Sequence, residues 1–553
     1  MLFPTFDFLL FIIPTLVGFW MLAERPVARM LWLLFASYFF YMAGPKTVPP
    51  PAPVYFAGLL VFSTFLDFLC GGRIHALADD AESSDEAVAK SARRRRKLWL
   101  YLSLAGNLGV LAYFKYVNFF IEAFTDVVGV FGLSVAPYHL DIILPLGISF
   151  YTFQSLSYTL DIERGKLDPE PNFFRFALFV VFFPQLVAGP IVRASELLPQ
   201  LRRGPQFSVL RMEEGAFRIV KGLAKKVVLG DWIAVQMTDA IFDAPGTYTS
   251  LELMVALYAY TLQIYADFSG YTDIAIGVGR MLGYELPENF DRPYQSLDIA
   301  EYWRRWHMTL SGWLRNYVFF PVIMRLGARG GYLAVWLTMF LVGMWHGASW
   351  NFVIYANLHA AAVVFNRWNR VRERDELPAW RRIAGWPLGA GGFFAAMAAL
   401  CHYVLALTWT EASIAAGLMS AVFLAICALP LPGDSERKIV DVAHIVLTFH
   451  LIVFSRIFFR AQGLDTAREF VRGLVAMDIG HGIRPGLVSP WVGAALAGGL
   501  ILHFTPKEWV DEHLLGLFRR TPGWVLGIVF VAFTYGLMHL MAGSPRAFIY
   551  FQF

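Results

Sequence analysis

Two histidines, His346 and His307, are the residues of this 553-residue chain whose setting best suits chemistry. His346 stands in Trp345-His346-Gly347-Ala348-Ser349-Trp350-Asn351, inside a stretch from Gly331 to Phe365 that holds no Asp, Glu, Lys or Arg. One helix of that length would measure about 52 Å and overshoot a bilayer core of about 30 Å, so the stretch must break. Gly347, Ser349 and Asn351 loosen a helix, and the break is expected there. Irregular backbone at membrane depth is tolerated only when it is buried in protein or lines a wet cavity. An imidazole in such a place either ties helices together or does chemistry. The second reading is favoured because ionisable groups at that depth are costly and mark pathways or sites. Imidazole also titrates near neutrality, which suits general-base work, and Trp345 and Trp350 are placed to wall an apolar slot.

The second constellation is Glu301-Tyr302-Trp303-Arg304-Arg305-Trp306-His307-Met308-Thr309-Leu310-Ser311-Gly312-Trp313-Leu314-Arg315-Asn316. On helical spacing Trp303, His307 and Leu310 share one side, with Arg304 and Arg315 offset. Alone, this is an amphipathic anchor at the lipid surface. Together with His346 it becomes the mouth of a catalytic tunnel, where Arg304 and Arg305 attract the phosphates of an acyl donor. A third polar insertion runs from Tyr265 to Asp273 and interrupts two apolar runs. Its Asp267 and Asp273 are candidates to orient a histidine or pair with an arginine. Equally, the insertion is a helix start with Ser269 or Thr272 as N-cap.

The elements that must hold these groups are membrane helices. The chain is 57% hydrophobic and 16% charged, with mean hydropathy +0.52, against roughly 25% charge in soluble domains. Apolar stretches such as Phe8–Leu22, Leu98–Phe114, Leu253–Ala266, Val442–Ser455 and Trp524–Met541 recur along it. We read an all-α integral membrane protein with roughly 11 to 14 spanning or re-entrant helices. The first segment lacks a cationic leader and is expected to remain as a helix. Residues 71–97 read as an acidic-then-basic loop ending in Arg93-Arg94-Arg95-Arg96-Lys97, and 366–384 as a basic connector with Arg367, Arg370, Arg372, Arg374, Arg381 and Arg382. Both are placed on the cytoplasmic side, with the N-terminus outside. Pro49-Pro50-Pro51 and Pro53 stiffen the join before the third helix, and Gly189-Pro190 closes another run. Arg193 just beyond it reads as an interfacial arginine. Juxtamembrane charge explains the basic run, so no nucleic-acid partner is inferred. Cys70, Cys401 and Cys427 have no metal-site or disulfide spacing, and Walker, Rossmann and HExxH motifs are lacking. We expect a single polytopic domain, with N-terminal helices over 1–135, a core over 136–365 carrying the site, and C-terminal helices over 366–553. No metal and no bound cofactor are expected.

An ordered series of motifs resembles the membrane-bound O-acyltransferase (MBOAT) family, and within it the bacterial alginate O-acetyltransferase-like branch. The series comprises Leu144–Gln154, Phe183–Ile191, Ala266–Asp273, Asn289–Tyr294, Trp303–His307, Leu310–Leu314, Trp345–Gly347 and Phe548–Phe553. The resemblance implies a multi-helix core around a central tunnel. It places the family's histidine on His346 and the second histidine of the bacterial pattern on His307. It further implies that a cytosolic thioester, acetyl-CoA or an acyl carrier protein, donates an acyl group that leaves on the far side of the membrane. The acceptor it implies is an exopolysaccharide or cell-wall hydroxyl, reached through a separate periplasmic esterase-like acyltransferase, and the membrane is a bacterial inner membrane.

Chemical need supplies the expected mechanism. A hydroxyl is barely ionised at neutral pH, so a base must take its proton, and His346 is the expected base. The oxyanion partner is open among His307, Asn316 and Asn351. Two readings compete: D-alanyl transfer to a teichoic-acid-like polymer from a carrier-protein thioester, and transport of a lipid-linked sugar with His346 as a relay. The lack of an internal repeat weighs against the transporter.

Overall fold

Every regular element in the computed structural model is helical among the described residues, which are 3–540 except 4, 44–51, 134, 137, 187–188, 328–329, 375–385, 429–437 and 481. Pro49-Pro50-Pro51, Arg381, Arg382 and the closing Phe548–Phe553 motif lie outside them.

At the N-terminal end, α1 (Phe6–Met21) pairs with α2 (Pro26–Met42), and α3 (Ala52–Ala76), α4 (Glu86–Leu111) and α5 (Ile148–Glu163) pack as a trio. α4 continues through a π-turn at Ala112–Tyr116 into a helix over Val117–Val130. The expected loop over 71–97 is largely helical. α3 stays helical to Ala76, and Asp85 caps α4 by accepting from the amides of Ala87 and Val88. The Ala-, Lys- and Arg-rich run that follows has high intrinsic helix propensity, which keeps Arg93–Lys97 on the helix. Two of its arginines reach back to carbonyls: Arg93 to Ala81 at 2.9 Å and Arg96 to Glu163 at 2.9 Å.

The centre is organised by α6 (Val209–Ala224) and α7 (Ser250–Met281). Their axes approach closely because glycines interleave: a Cβ on Gly222 would stand 2.6 Å from the Gly270 carbonyl oxygen, and one on Gly277 2.6 Å from that of Gly215. Small residues that admit backbone contact are the usual device for tight helix pairs in lipid.

α7 also corrects the sequence reading. The polar insertion at 265–273 neither breaks the helix nor starts one; the cap is Thr249, in a capping box with Glu252. Buried ion pairs pay for the polar residues inside the run. Lys226 bridges Asp267 and Asp231, the latter at 2.6 Å. Asp273 takes Arg218 at 3.0 Å and Lys225 at 2.7 Å.

Beyond α7 come two short helices, α8 (Ile299–Arg305) and α9 (Met308–Leu314). The hairpin of α10 (Gly331–His346) and α11 (Trp350–Arg374) follows, and then α12 (Lys438–Arg460), which packs on both α7 and α11. Arg367, Arg370, Arg372 and Arg374 therefore lie on the end of α11 and not in a connector. Among the described residues, Val54–Ala76, Glu86–Val130 and Lys438–Arg460 are long and apolar enough to cross a membrane. Five shorter apolar helices, α1, α2 and α10 among them, accompany these.

Candidate active site

α10 stops where composition requires. Gly347 takes extended backbone, and α11 restarts at Trp350, with the Ser349 carbonyl accepting from the amides of Phe352 and Val353. A helix end leaves carbonyls without intrahelical partners. Here the Tyr116 hydroxyl donates to the Met344 carbonyl at 2.8 Å, and the Lys115 ammonium donates to that of Trp345. Both donors come from the π-turn after α4. The hairpin is tight: a Cβ on Gly343 would collide with the Ala356 Cβ and stand 2.6 Å from its Cα. His346, the last residue of α10, is buried.

His307 reaches the same place by a different route. The expected continuous helix over 301–316 is interrupted, because Trp306 forms an antiparallel bridge with Phe290 and the Asp291 amide donates to the Arg305 carbonyl at 2.9 Å. His307 then adopts left-handed backbone, φ 45°, a region sparsely populated outside glycine. Trp303 and His307 consequently do not share a helical side. Asn289 locks the turn: its carbonyl accepts from the Met308 amide at 3.0 Å and its side-chain oxygen from the Thr309 hydroxyl at 2.9 Å. Thr309 in turn accepts from the Ile191 amide at 3.0 Å. Three motifs far apart in sequence thus converge on one turn.

The result is a buried cage. The His307 and His346 rings stand edge to face with centroids 6.4 Å apart. Trp345 packs 5.1 Å from His307 and 5.2 Å from His346. Phe268 of α7 lies 4.7 Å from His307, and Phe459 of α12 lies 5.2 Å from His346. His307 is fully buried, and neither ring nitrogen has a hydrogen-bond partner among the described residues. Two imidazoles in an apolar enclosure can accept and return a proton with little competition from water.

Other expected site residues go elsewhere. Trp350 turns away to donate to Asp126 at 2.7 Å, leaving Trp345 as the indole beside His346. Arg304 is exposed, while Arg305 is held by Glu301 at 2.8 Å and Asp291 at 3.7 Å. Asn316 sits on a π-turn after α9, its carbonyl taking Arg164 at 3.1 Å. Asn351 spends a donor on the Ala461 carbonyl at 2.8 Å. Asp267 belongs to the Lys226 ion pair. Arg193 precedes the helix Ala194–Arg203, where its amide donates to the Glu196 carboxylate at 3.2 Å.

Two neighbours went unread in the sequence. His359 of α11 is buried, accepts from the Trp303 indole at 3.3 Å and lies 3.0 Å from the Ser455 hydroxyl. Its place three turns after the α10–α11 break was the available signal. Arg456 of α12 is fully buried between Trp306 and Phe459. It directly follows the apolar run Val442–Ser455, where nothing local marks it as buried.

Residues 163–407 match MBOAT, the membrane-bound O-acyltransferase family. A protein of Azotobacter vinelandii named "Probable alginate O-acetylase AlgI" is 36% identical over 392 residues, 70% of this chain and 72% of the relative. The protein of that name in Pseudomonas aeruginosa is 38% identical over 372 residues, 66% of each chain. A peptidoglycan O-acetyltransferase of Helicobacter pylori is 35% identical over 375 residues, 62% of this chain and 66% of the relative. With its all-helical apolar fold, the chain belongs to the membrane-bound O-acyltransferase family and is an O-acyltransferase of the membrane.

Proposed function

We propose that this protein moves an acetyl group from a cytosolic thioester, acetyl-CoA or an acetylated carrier protein, through a tunnel to the far side of a bacterial inner membrane. The group ends on the hydroxyl of an extracytoplasmic polysaccharide, an alginate-like exopolysaccharide or a cell-wall glycan, by way of a periplasmic esterase-like partner. The relatives named for alginate and peptidoglycan O-acetylation support the acceptor class. His346 is the general base. It takes the proton of the attacking hydroxyl as oxygen bonds to the thioester carbon, and returns it to the departing thiolate.

The observation that carries this reading is the pair of buried imidazoles 6.4 Å apart at the break between α10 and α11, enclosed by Trp345, Phe268 and Phe459. Inverted membrane vesicles from the producing cell test it, with their cytosolic face outward and labelled acetyl-CoA or acetyl-carrier protein outside. The reading expects base-labile label on polysaccharide inside the vesicles. Thioester left intact by both donors, or label confined to the outer face, contradicts it.

A further inference from the structure

Arg456 is the anomaly of the site. Its side chain is fully buried, and no carboxylate pairs with it among the described residues. Arg460, one turn further along α12, has Asp239 at 3.0 Å, and buried Lys226 has two carboxylates. Nη2 of Arg456 donates to the Tyr302 hydroxyl at 2.7 Å and the Tyr294 and Tyr355 hydroxyls also face the guanidinium, yet Nε and Nη1 make no hydrogen bond of normal geometry to a described residue. Its Cζ lies 4.8 Å from the Trp306 ring centroid and 5.5 Å from that of Phe459. Aromatic faces stabilise a cation in part. They do not replace the hydrogen bonds that a buried guanidinium loses with water, and leaving such donors unspent is costly.

The position makes sense of the expense. Phe459 packs against His346 at 5.2 Å and against Tyr355 at 5.2 Å, so Arg456 and His346 border the same ring. Trp306, beneath the guanidinium, is joined directly to His307. A cation with N–H donors to offer therefore stands beside the His346 imidazole, across the Phe459 ring. Of the expected oxyanion partners, Asn351 is turned to Ala461 and Asn316 is on a separate π-turn; His307 is in the cage but brings a neutral ring where Arg456 brings a fixed positive charge.

We propose that Arg456 is the oxyanion-binding residue, its Nε–H and Nη1–H donating to the carbonyl oxygen of the acyl thioester. The inference rests on the acyl-transfer reading above. As the acceptor oxygen bonds to the carbonyl carbon, its proton passes to His346 and the carbonyl electron pair moves onto oxygen, opposite the guanidinium. When the pair returns, the C–S bond breaks, the thiolate takes the proton from His346, and ester and free thiol result. Donors aimed at charge that grows in the transition state act on kcat more than on donor binding.

The test uses membranes of the producing cell, which retain partner and acceptor. Transfer from labelled acetyl-CoA and from acetyl-carrier protein is followed against donor concentration. Arg456→Met is expected to lower kcat about 100- to 1000-fold with donor KM within about threefold, and to keep or raise the melting temperature, because an unpaired buried charge is gone. Arg456→Lys, which keeps charge without the planar fork, recovers part of kcat. A folded Arg456→Met that retains more than about a third of wild-type kcat overturns the proposal. So does loss of activity in step with melting temperature in both variants. Wild-type membranes silent with both donors overturn the acyl-transfer reading and this inference together; transfer lost in His346→Ala but kept in Arg456→Met sinks the inference alone.

Discussion

The imidazoles of His307 and His346 stand at 88° to one another with centroids 6.4 Å apart, and Trp345 touches both. His307 makes no hydrogen bond to a described residue, so the two rings are not bonded to each other.

His307 holds its place by an unusual backbone, which separates its chemistry from its fold. Asparagine tolerates left-handed backbone better than most residues, so His307→Asn keeps the turn clamped by Asn289. Transfer of labelled acetyl to polysaccharide is expected to fall about 100-fold, with melting unchanged to within a few degrees. Full activity in this variant would assign His307 to packing.

The α10–α11 hairpin depends on Gly343. A methyl there has to displace the Ala356 backbone, not a mobile side-chain tip. Gly343→Ala should cost about 1–3 kcal/mol, seen as a lower melting temperature, and activity per folded molecule should drop because His346 ends the same helix. An unchanged melting temperature would show that the helices separate freely.

Asp267 tests whether a polar residue in this core is structural. Lys226→Met leaves Asp231 and Asp267 buried without their cation, and a loss of about 3–5 kcal/mol is expected. Asp267→Asn removes one charge while Asp231 still holds Lys226, and should lose less. Whatever Asp267→Asn protein folds is expected to transfer acetyl at near wild-type turnover. A folded Asp267→Asn protein with abolished turnover would return Asp267 to the catalytic machinery.

The sequence made the α10–α11 break legible because its argument was physical: too long for one span, with Gly347, Ser349 and Asn351 at the weak point. The motif series brought His307 forward, but helical spacing placed it wrongly. The Phe290–Trp306 bridge that interrupts the helix is tertiary, and no local signal announces it. The same reason hid the continuity of α7. Asp267 and Asp273 look like helix breakers until Lys226, Lys225 and Arg218 arrive from an earlier helical segment, Lys225 48 and Arg218 55 residues before Asp273. Arg93–Lys97 were misread for want of weight on Asp85 as a cap. Arg456 was hidden because an arginine after an apolar run resembles an interfacial one; only the packing of α12 on α7 and α11 reveals its burial.

His346 is proposed to perform the proton transfer. The most direct measurement is base-labile acetyl on polysaccharide in membranes of the producing cell, supplied with both labelled donors, for wild type and His346→Ala at equal protein level and equal size-exclusion profile. A loss of at least about 100-fold is expected in the variant. A folded His346→Ala protein that acetylates polysaccharide as fast as wild type contradicts it.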